Sequence, residues 1–210
     1  MTVLYKNRLD AGKKLGERLK CYKGGKVLIL AIPRGGVPVG YEVAKFLEAP
    51  LDVIVARKLH IPWSPEAGFG ALAPDGTIVL NEEMVADLGI SEKVIQEVKK
   101  EVLVEIRRRE KNYREGKSLP VIKNKIVIVV DDGLASGYTM IAAIKFLKKK
   151  KPAKIIVAVP TASESAYSEV KKLADETISL YVQKGYPYAV ASFYEEWSDL
   201  TDEEVTGYLI

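Results

Sequence analysis

The chain has 210 residues, 48% of them hydrophobic, with a mean hydropathy near zero. This composition suffices for one sizeable core, so we expect a single domain over residues 1–210 with a small appendage. The formal charge of +4 favours anionic ligands only weakly. One cysteine excludes an internal disulfide, no apolar run is long enough to span a membrane, and the first residues lack a signal peptide's apolar stretch. We therefore expect a soluble cytoplasmic protein.

Short aliphatic runs rich in β-branched residues alternate with amphipathic segments along the chain. The runs predict buried strands at residues 26–33, 51–59, 125–132, 153–160 and 177–181. The segments with helical apolar spacing are 37–48, 138–150 and 163–175. Because strands alternate with helices, we predict an α/β fold with a doubly wound, mainly parallel sheet flanked by helices.

One segment that departs from this alternation is rich in Gly and Pro. Residues 57–81 contain the turn sequence APDGT (73–77) between two strand-like stretches. Pro and Gly occupy their preferred turn positions there. The segment predicts an antiparallel β flap that projects from the sheet.

A second departure is one long, strongly charged helix predicted over residues 91–116. Ser91 is its expected N-cap, and Gly116 marks its end. We interpret the arginines at 107–109 as a solvated helix face, with contact to a phosphate or to a partner chain as the alternative.

The stretch KIVIVVDDGLASGYTM (125–140) places Asp131 and Asp132 at the end of a predicted strand. In open α/β sheets, ligands bind beyond the carboxyl ends of the strands. Adjacent carboxylates there can accept hydrogen bonds from a vicinal diol such as ribose and help to hold hydrated Mg²⁺. The small residues that follow let backbone N–H groups approach a phosphate at the start of the next helix. The stretch therefore predicts a ribose 5-phosphate site, against the alternative of two solvent-facing acids before a glycine turn.

This stretch resembles the phosphoribosyl pyrophosphate (PRPP) signature of type I phosphoribosyltransferases, and the similarity extends over nearly the whole chain. The resemblance implies the type I fold, with a flap at about 57–81 and a C-terminal hood at about 182–210. It implies Mg²⁺-dependent transfer of phosphoribose from PRPP to a nitrogen nucleophile, a nucleobase being the favoured acceptor, with release of pyrophosphate. A homodimer is the usual assembly of the family.

The resemblance also assigns roles to residues. Asp131 and Asp132 hold the ribose hydroxyls and, through water, the Mg²⁺, and Arg57 and Lys58 at the root of the flap join them as catalytic residues. In the family, the loop after the first core strand binds pyrophosphate through backbone amides, often with a cis or strained peptide. The substrate-binding positions in this chain are Arg34, Gly35, Gly36, Gly133, Leu134, Ala135, Ser136, Gly137, Tyr138 and Thr139.

Several alternatives remain open at this level. Ala135 stands where 6-oxopurine members usually carry Asp, which shifts the expectation away from hypoxanthine and guanine. The aromatic residues after the last strand fit either stacking on an acceptor or packing of the hood and a dimer interface. The alternative function is a PRPP-sensing, nucleic-acid-binding regulator without turnover. An intact flap and the lack of a nucleic-acid-binding signature favour the enzyme.

Overall fold

The computed structural model of the protein describes residues 3–209. Its strands are β1 (Val27–Ala31), β2 (Leu51–Val53), β3 (Arg57–Ile61), β4 (Ser64–Leu72), β5 (Ile78–Leu80), β6 (Ile126–Val130), β7 (Lys154–Ser163) and β8 (Glu176–Gln183). Its α-helices are α1 (Arg8–Arg18), α2 (Gly36–Leu47), α3 (Glu82–Asp87), α4 (Glu92–Tyr113), α5 (Tyr138–Lys149), α6 (Glu164–Lys171) and α7 (Asp202–Gly207). Within this part of the chain, no helix combines the length and apolar character of a membrane span.

The central sheet has five parallel strands in the order β2-β1-β6-β7-β8. Its aliphatic strands are buried on both faces, as parallel sheets require. Alternate strand residues pack against α1 and α2 on one face and against α5 on the other. This confirms the predicted doubly wound fold. The chain runs from β1 to β2 on one side of the sheet and from β6 to β7 on the other side, so the strand order reverses between the neighbours β1 and β6. In open α/β sheets, ligands bind at such a point.

The predicted strand at 51–59 is wrong as one element, because the chain leaves the parallel sheet after β2. The Ile54 N–H still donates to the Ala31 carbonyl at 2.9 Å, but the Ala56 N–H donates to the Ile54 carbonyl at 3.0 Å. These local hydrogen bonds turn the backbone, and the chain re-emerges as β3 of a second sheet. The interruption is buried on all sides, so its apolar composition resembles that of a strand.

The second sheet is antiparallel, in the order β3-β4-β5, and it confirms the predicted turn at 73–77. We predicted that this flap projects from the parallel sheet, but it packs against α4. Leu59, Phe69 and Leu72 are buried in a hydrophobic cluster with the apolar face of α4. The longest exposed run in the flap is its tip, at residues 62–66. Helix α4 begins after Ser91, whose side chain caps the Val94 N–H as predicted, and ends before the left-handed residues Glu115 and Gly116.

The residues after β8 pack on the N-terminal segment. The Leu4 and Tyr5 N–H groups both donate to the Phe193 carbonyl at 3.0 Å, and Glu195 donates back to the Tyr5 carbonyl at 2.9 Å. Tyr5, Phe193 and Tyr194 are buried together as a small aromatic core. The hood segment is therefore held in place by Leu4 and Tyr5.

Candidate functional site

The carboxyl ends of β1, β6 and β7 meet at one edge of the parallel sheet. The Ile32 N–H donates to the Val130 carbonyl at 2.8 Å, and the Leu134 N–H donates to the Thr161 carbonyl at 2.9 Å. The structure thus brings together the loop after β1 and the loop after β6, which the sequence assigned to pyrophosphate and phosphoribose. The peptide between Pro33 and Arg34 in the first loop is cis, as the resemblance led us to expect.

Two glycines allow these loops to touch. A Cβ atom on Gly35 would lie 1.9 Å from Oδ2 of Asp132, and one on Gly36 would lie 2.8 Å from the Val130 carbonyl oxygen. No side chain fits at either position without moving its neighbour. The backbone of the loop after β1 therefore lies directly against the acidic pair, and glycine is required there for close approach. Because the Gly36 N–H already donates to the Ile32 carbonyl at 3.0 Å, Gly35 is the better candidate of the two to donate to a ligand.

The acidic pair is largely enclosed. Burial raises the pKa of Asp131 well above its usual range, and the charge of Asp132 raises it further. Burial also raises the pKa of Asp132, but the positive charge and hydrogen bond of Arg8 oppose this shift. The pair has accepting oxygen atoms in a partly buried setting, which suits hydroxyl groups or a hydrated cation as partners.

Arg8 is a site residue that sequence reasoning missed. Its Nε donates to Asp132 Oδ2 at 2.8 Å, and its Nη1 donates to the Ser198 carbonyl at 2.8 Å. The guanidinium stacks on Trp197, with Cζ 3.7 Å from the ring centroid. Arg8 thus joins α1, the acidic pair and the hood. No local pattern distinguishes it from the other cations of α1, because its partners lie more than a hundred residues away.

The hood contributes a further contact to the pair through Tyr194. Its hydroxyl donates to the main-chain carbonyl of Asp132 at 2.7 Å. Phe193 and Tyr194 are buried, whereas Tyr186 is 87% exposed. The aromatic residues after β8 therefore divide into those that pack the hood and those that are free to contact a ligand.

The segment after the acidic pair leads into α5, and no side chain among the described residues caps the start of this helix. Leu134 forms a bridge to Ala162 beside β7, and the Ser163 hydroxyl donates to the Ala135 carbonyl at 2.7 Å. Gly137, at the N-cap, has a left-handed φ of 80° and no capping side chain. Ala135 and Ser136 are exposed. The first N–H groups of α5 therefore have no side-chain cap, and the helix dipole there favours negative charge.

A cleft of about 550 Å³ adjoins this segment. Its lining residues are Asn81, Glu83, Ala135, Ser136, Tyr138, Ser163, Ser165, Ala166, Glu169, Tyr186 and Tyr188. Burial raises the pKa of Tyr138, and the nearby charges of Glu83 and Glu169 raise it further. Because the rim carries these two acids, an anion in the cleft has to be held by the backbone and hydroxyl donors around Ser136.

The two flap-root residues point in different directions, as neighbours on a strand do. Arg57 Nη1 lies 3.1 Å from Glu105 Oε1 on α4. Lys58 extends along the exposed side of β3 and donates from Nζ to the Glu66 carbonyl. The structure therefore brings Arg57 toward α4 and holds Lys58 on the flap.

The interpretation of residues 107–109 as a solvated face is wrong for Arg109, whereas Arg107 and Arg108 are exposed as expected. Arg109 Nε donates to Glu105 at 2.8 Å, and its side chain is only 12% exposed. Arg108 Nη2 donates to Asp202 of α7 at 2.8 Å. The same Asp202 lies 3.9 Å from Nη1 of Arg34 in the loop after β1. Sequence reasoning missed this convergence because α4, α7 and the loop are distant in the chain.

Comparisons with known proteins agree with this architecture. The chain matches the phosphoribosyl transferase domain family over residues 4–192. It is 37% identical over 206 residues to candidate phosphoribosyl transferases from two strains of Mycobacterium tuberculosis, CDC 1551 / Oshkosh and H37Rv. That match covers 98% of this chain and 46% of each relative, so the chain spans about half their length.

A solved structure is similar over almost its full length. The crystal structure of TT1426 from Thermus thermophilus shares 32% identity with a TM-score of 0.79, covering 98% of this chain and 97% of that one. The family match covers most of the chain and includes both loops that meet at the acidic pair. The chain therefore belongs to the phosphoribosyl transferase family, with the type I fold.

Proposed function

We propose that the protein transfers phosphoribose from PRPP to a nitrogen nucleophile, a nucleobase or related heterocycle, and releases pyrophosphate. The observation that carries the proposal is the contact between Gly35 and Asp132, which sets an acidic pair directly beside the backbone of the loop after β1. Ribose hydroxyls and a pyrophosphate group are neighbours in PRPP, so the two halves of the site match two neighbouring parts of one ligand.

The remaining part of PRPP fits the start of α5. A 5-phosphate there meets the free N–H groups around Ser136 and Gly137 and the hydroxyls of Ser136 and Thr139. Asp131 and Asp132 then accept hydrogen bonds from the ribose hydroxyls between the two phosphate sites. Arg8 fixes one oxygen of Asp132, so the orientation of that carboxylate is set before the ligand arrives.

The acidic pair fits Mg²⁺ held partly through water. Among residues 3–209, no cluster of three or more His, Cys, Asp or Glu side chains forms a metal cage. Two adjacent carboxylates without a third suit Mg²⁺, which keeps several waters and completes its shell with substrate oxygens. When bound, Mg²⁺ would neutralise charge on the leaving pyrophosphate.

This chain's own residues would stabilise the charge that develops during transfer. As the bond from C1 of ribose to pyrophosphate breaks, positive charge grows on the ribose and negative charge grows on the leaving group. Asp131 and Asp132 lie on the ribose side, whereas Arg34, the backbone amide of Gly35, and Arg57 lie on the pyrophosphate side. Catalysis would therefore come mainly from positioning and electrostatic stabilisation, without a covalent intermediate.

The acceptor would enter between the hood and the end of β7. The Tyr188 hydroxyl lies 3.3 Å from Thr161 Oγ1, and burial beside the acidic pair raises its pKa. A neutral phenol is thus available beside the pair, and Ala135 leaves the position beyond it apolar. This combination suits a flat heterocycle that is not a 6-oxopurine.

Pyrophosphate release from PRPP and Mg²⁺, measured against a panel of nucleobases and small amines, tests the proposal. We expect release that depends on one acceptor and is lost in the double variant Asp131→Asn/Asp132→Asn. Gly207→Ala is a suitable control variant, because nothing lies within 4 Å of the added Cβ. PRPP binding without turnover, together with PRPP-dependent binding of labelled nucleic acid, would favour the regulator instead. Absence of PRPP binding would overturn both.

A further inference from the structure

A cluster of charged side chains lies beside the loop after β1 and joins three other elements to it. The members, defined here as the arginine cluster, are Arg34 of the loop, Arg57 of β3, Arg108 and Arg109 of α4, and the carboxylates Glu105 of α4 and Asp202 of α7. Four cations thus share two anions. Among residues 3–209, no other carboxylate lies within 4.0 Å of these four guanidinium groups.

Glu105 holds the α4 side of the cluster. Its Oε1 accepts hydrogen bonds from Arg109 at 2.8 Å, Arg108 at 2.9 Å and Arg57 at 3.1 Å. The hydrogen bonds from Arg108 and Arg109 lower the pKa of Glu105 to about 2, so it stays ionised at neutral pH. Glu105 is therefore a fixed anchor that orients three arginines.

Asp202 holds the other side less tightly. Its Oδ1 accepts from the Tyr113 hydroxyl at 2.5 Å, and its Oδ2 accepts from Arg108 at 2.8 Å. Its contact with Arg34 is longer, at 3.9 Å from Nη1. The carboxylate thus lies between Arg34 and Arg108, where an external anion would contact both arginines.

The cluster carries more positive charge than its carboxylates neutralise. The formal balance is four guanidinium charges against two carboxylates, and Arg109 is largely buried. Arg57 and Arg109 both donate to Oε1 of Glu105, so their like charges lie close together. Burial lowers the pKa of Arg57, and the nearby charges of Arg109 and Arg34 lower it further. Crowded, partly desolvated cations are stabilised by an anionic ligand. A diphosphate group, with several charges and a bidentate match to guanidinium, fits best.

We propose that α4 supplies Arg109 as a pyrophosphate-binding residue, and that Asp202 of α7 is an internal competitor that the pyrophosphate group displaces from Arg34. The inference rests on the proposed function, because it extends the pyrophosphate side of that site. It gives α4 and the C-terminal helix a part in ligand binding that the acidic pair and the glycine loop do not require.

Calorimetric titration of the full chain with inorganic pyrophosphate and Mg²⁺ tests both roles, because the Arg109 and Asp202 variants should change the pyrophosphate affinity in opposite directions. We expect Arg109→Gln to weaken binding by about tenfold, because a charge-assisted hydrogen bond is lost. Asp202→Asn should tighten binding by about threefold, because a competing charge is removed while the hydrogen bond from Tyr113 is kept. Arg107→Gln is the matched control on the same helix, because Arg107 forms no ion pair with any residue that the structure describes, and it should bind as the parent does.

A change in binding has to be separated from a change in folding. Arg109→Lys keeps the charge and should recover part of the lost affinity, while circular dichroism melting shows whether each variant is folded. Equal binding by the parent and by folded Arg109→Gln, or weaker binding by folded Asp202→Asn, would overturn the inference. Transfer activity is measured separately. Opposite shifts in pyrophosphate affinity without any acceptor turnover would uphold this site and overturn the transferase. Turnover with unshifted pyrophosphate affinities would uphold the transferase and overturn this site.

Discussion

The acidic pair and the arginine cluster both contact the loop after β1, through Gly35 and Arg34 respectively, yet they are built in different ways. Asp132 has one close cation, Arg8, and both lie almost out of solvent, at 14% and 10% side-chain exposure. The backbone of Gly35 lies against the same carboxylate, and the Tyr194 hydroxyl donates a hydrogen bond to the main-chain carbonyl of Asp132. In the arginine cluster, four cations share two carboxylates, and one contact is as long as 3.9 Å.

This difference teaches how each side meets its ligand. The acidic side is fixed by packing, so it offers a single geometry to the ribose hydroxyls and loses little entropy on binding. The arginine side has four cations for two carboxylates, and under our proposal it gains its full stabilisation only when an anion binds.

Removing the cation of the acidic side should be the most damaging change. Arg8→Ala leaves the enclosed Asp132 carboxylate without its partner, and we expect the free energy of unfolding to fall by about 3 kcal/mol. Urea denaturation measures this change. Arg18→Ala, on the exposed last turn of the same helix, is the matched control and should cost well under 1 kcal/mol. A small effect of Arg8→Ala would mean that the acidic side is not held by this pair.

The contact between Gly35 and Asp132 should be nearly as sensitive. In Gly35→Ala the new Cβ would lie 1.9 Å from Oδ2, so either the loop or the carboxylate has to move. We expect PRPP binding, measured by calorimetry, to weaken by about a hundredfold. Unchanged affinity in a folded variant would show that the acidic side is as adaptable as the arginine side.

A smaller effect is expected from the hood hydroxyl on the acidic side. Tyr194→Phe leaves the Asp132 carbonyl without its 2.7 Å hydrogen bond, which should lower the free energy of unfolding by about 1 kcal/mol. Tyr186→Phe, at a largely exposed ring, serves as the comparison and should be neutral. Equal stability of the two variants would contradict a fixed hood contact.

The smallest effect concerns the pH dependence of the arginine side. The pKa of Glu105 is lowered to about 2 from 4.5, so its contribution to stability is complete above the unfolded value and is lost as pH falls toward about 2. The difference in unfolding free energy between the parent and Glu105→Gln should therefore shrink from pH 7 to pH 3. A difference that stays constant over this range would show that the carboxylate is not the anchor of the cluster.

Much of the fold was predictable from local patterns. The aliphatic runs predicted four of the five parallel strands because buried strands need continuous apolar residues, and Ser91 marked the start of α4 because its side chain caps a free N–H. The prediction of one strand at 51–59 was wrong because continuous apolar residues also occur in a buried turn. Ile54, Val55 and Ala56 are as buried as strand residues, yet they form a turn between two sheets.

The site divides in a similar way. Asp131, Asp132 and the small residues after them form a short stretch that indicated a site by itself, and the family resemblance indicated Gly35 and Gly36. Arg8, Arg109 and Asp202 belong to helices whose charges read as ordinary solvated faces. Their partners are supplied by tertiary packing, and a single sequence contains no signal for that.

The contact between Arg8 and the hood also bears on how the protein is made. Arg8 bonds Asp132, 124 residues later in the chain, and Ser198, 190 residues later. During synthesis α1 leaves the ribosome before either partner, so Arg8 stays without these partners until residues 132 and 198 are made. Contacts of such high separation form late, because the intervening loop has to close first. The contacts of Arg8 with the hood are therefore expected to form late, and a chain interrupted before the hood would keep the Arg8–Asp132 pair but lack the Ser198 and Trp197 contacts that hold Arg8.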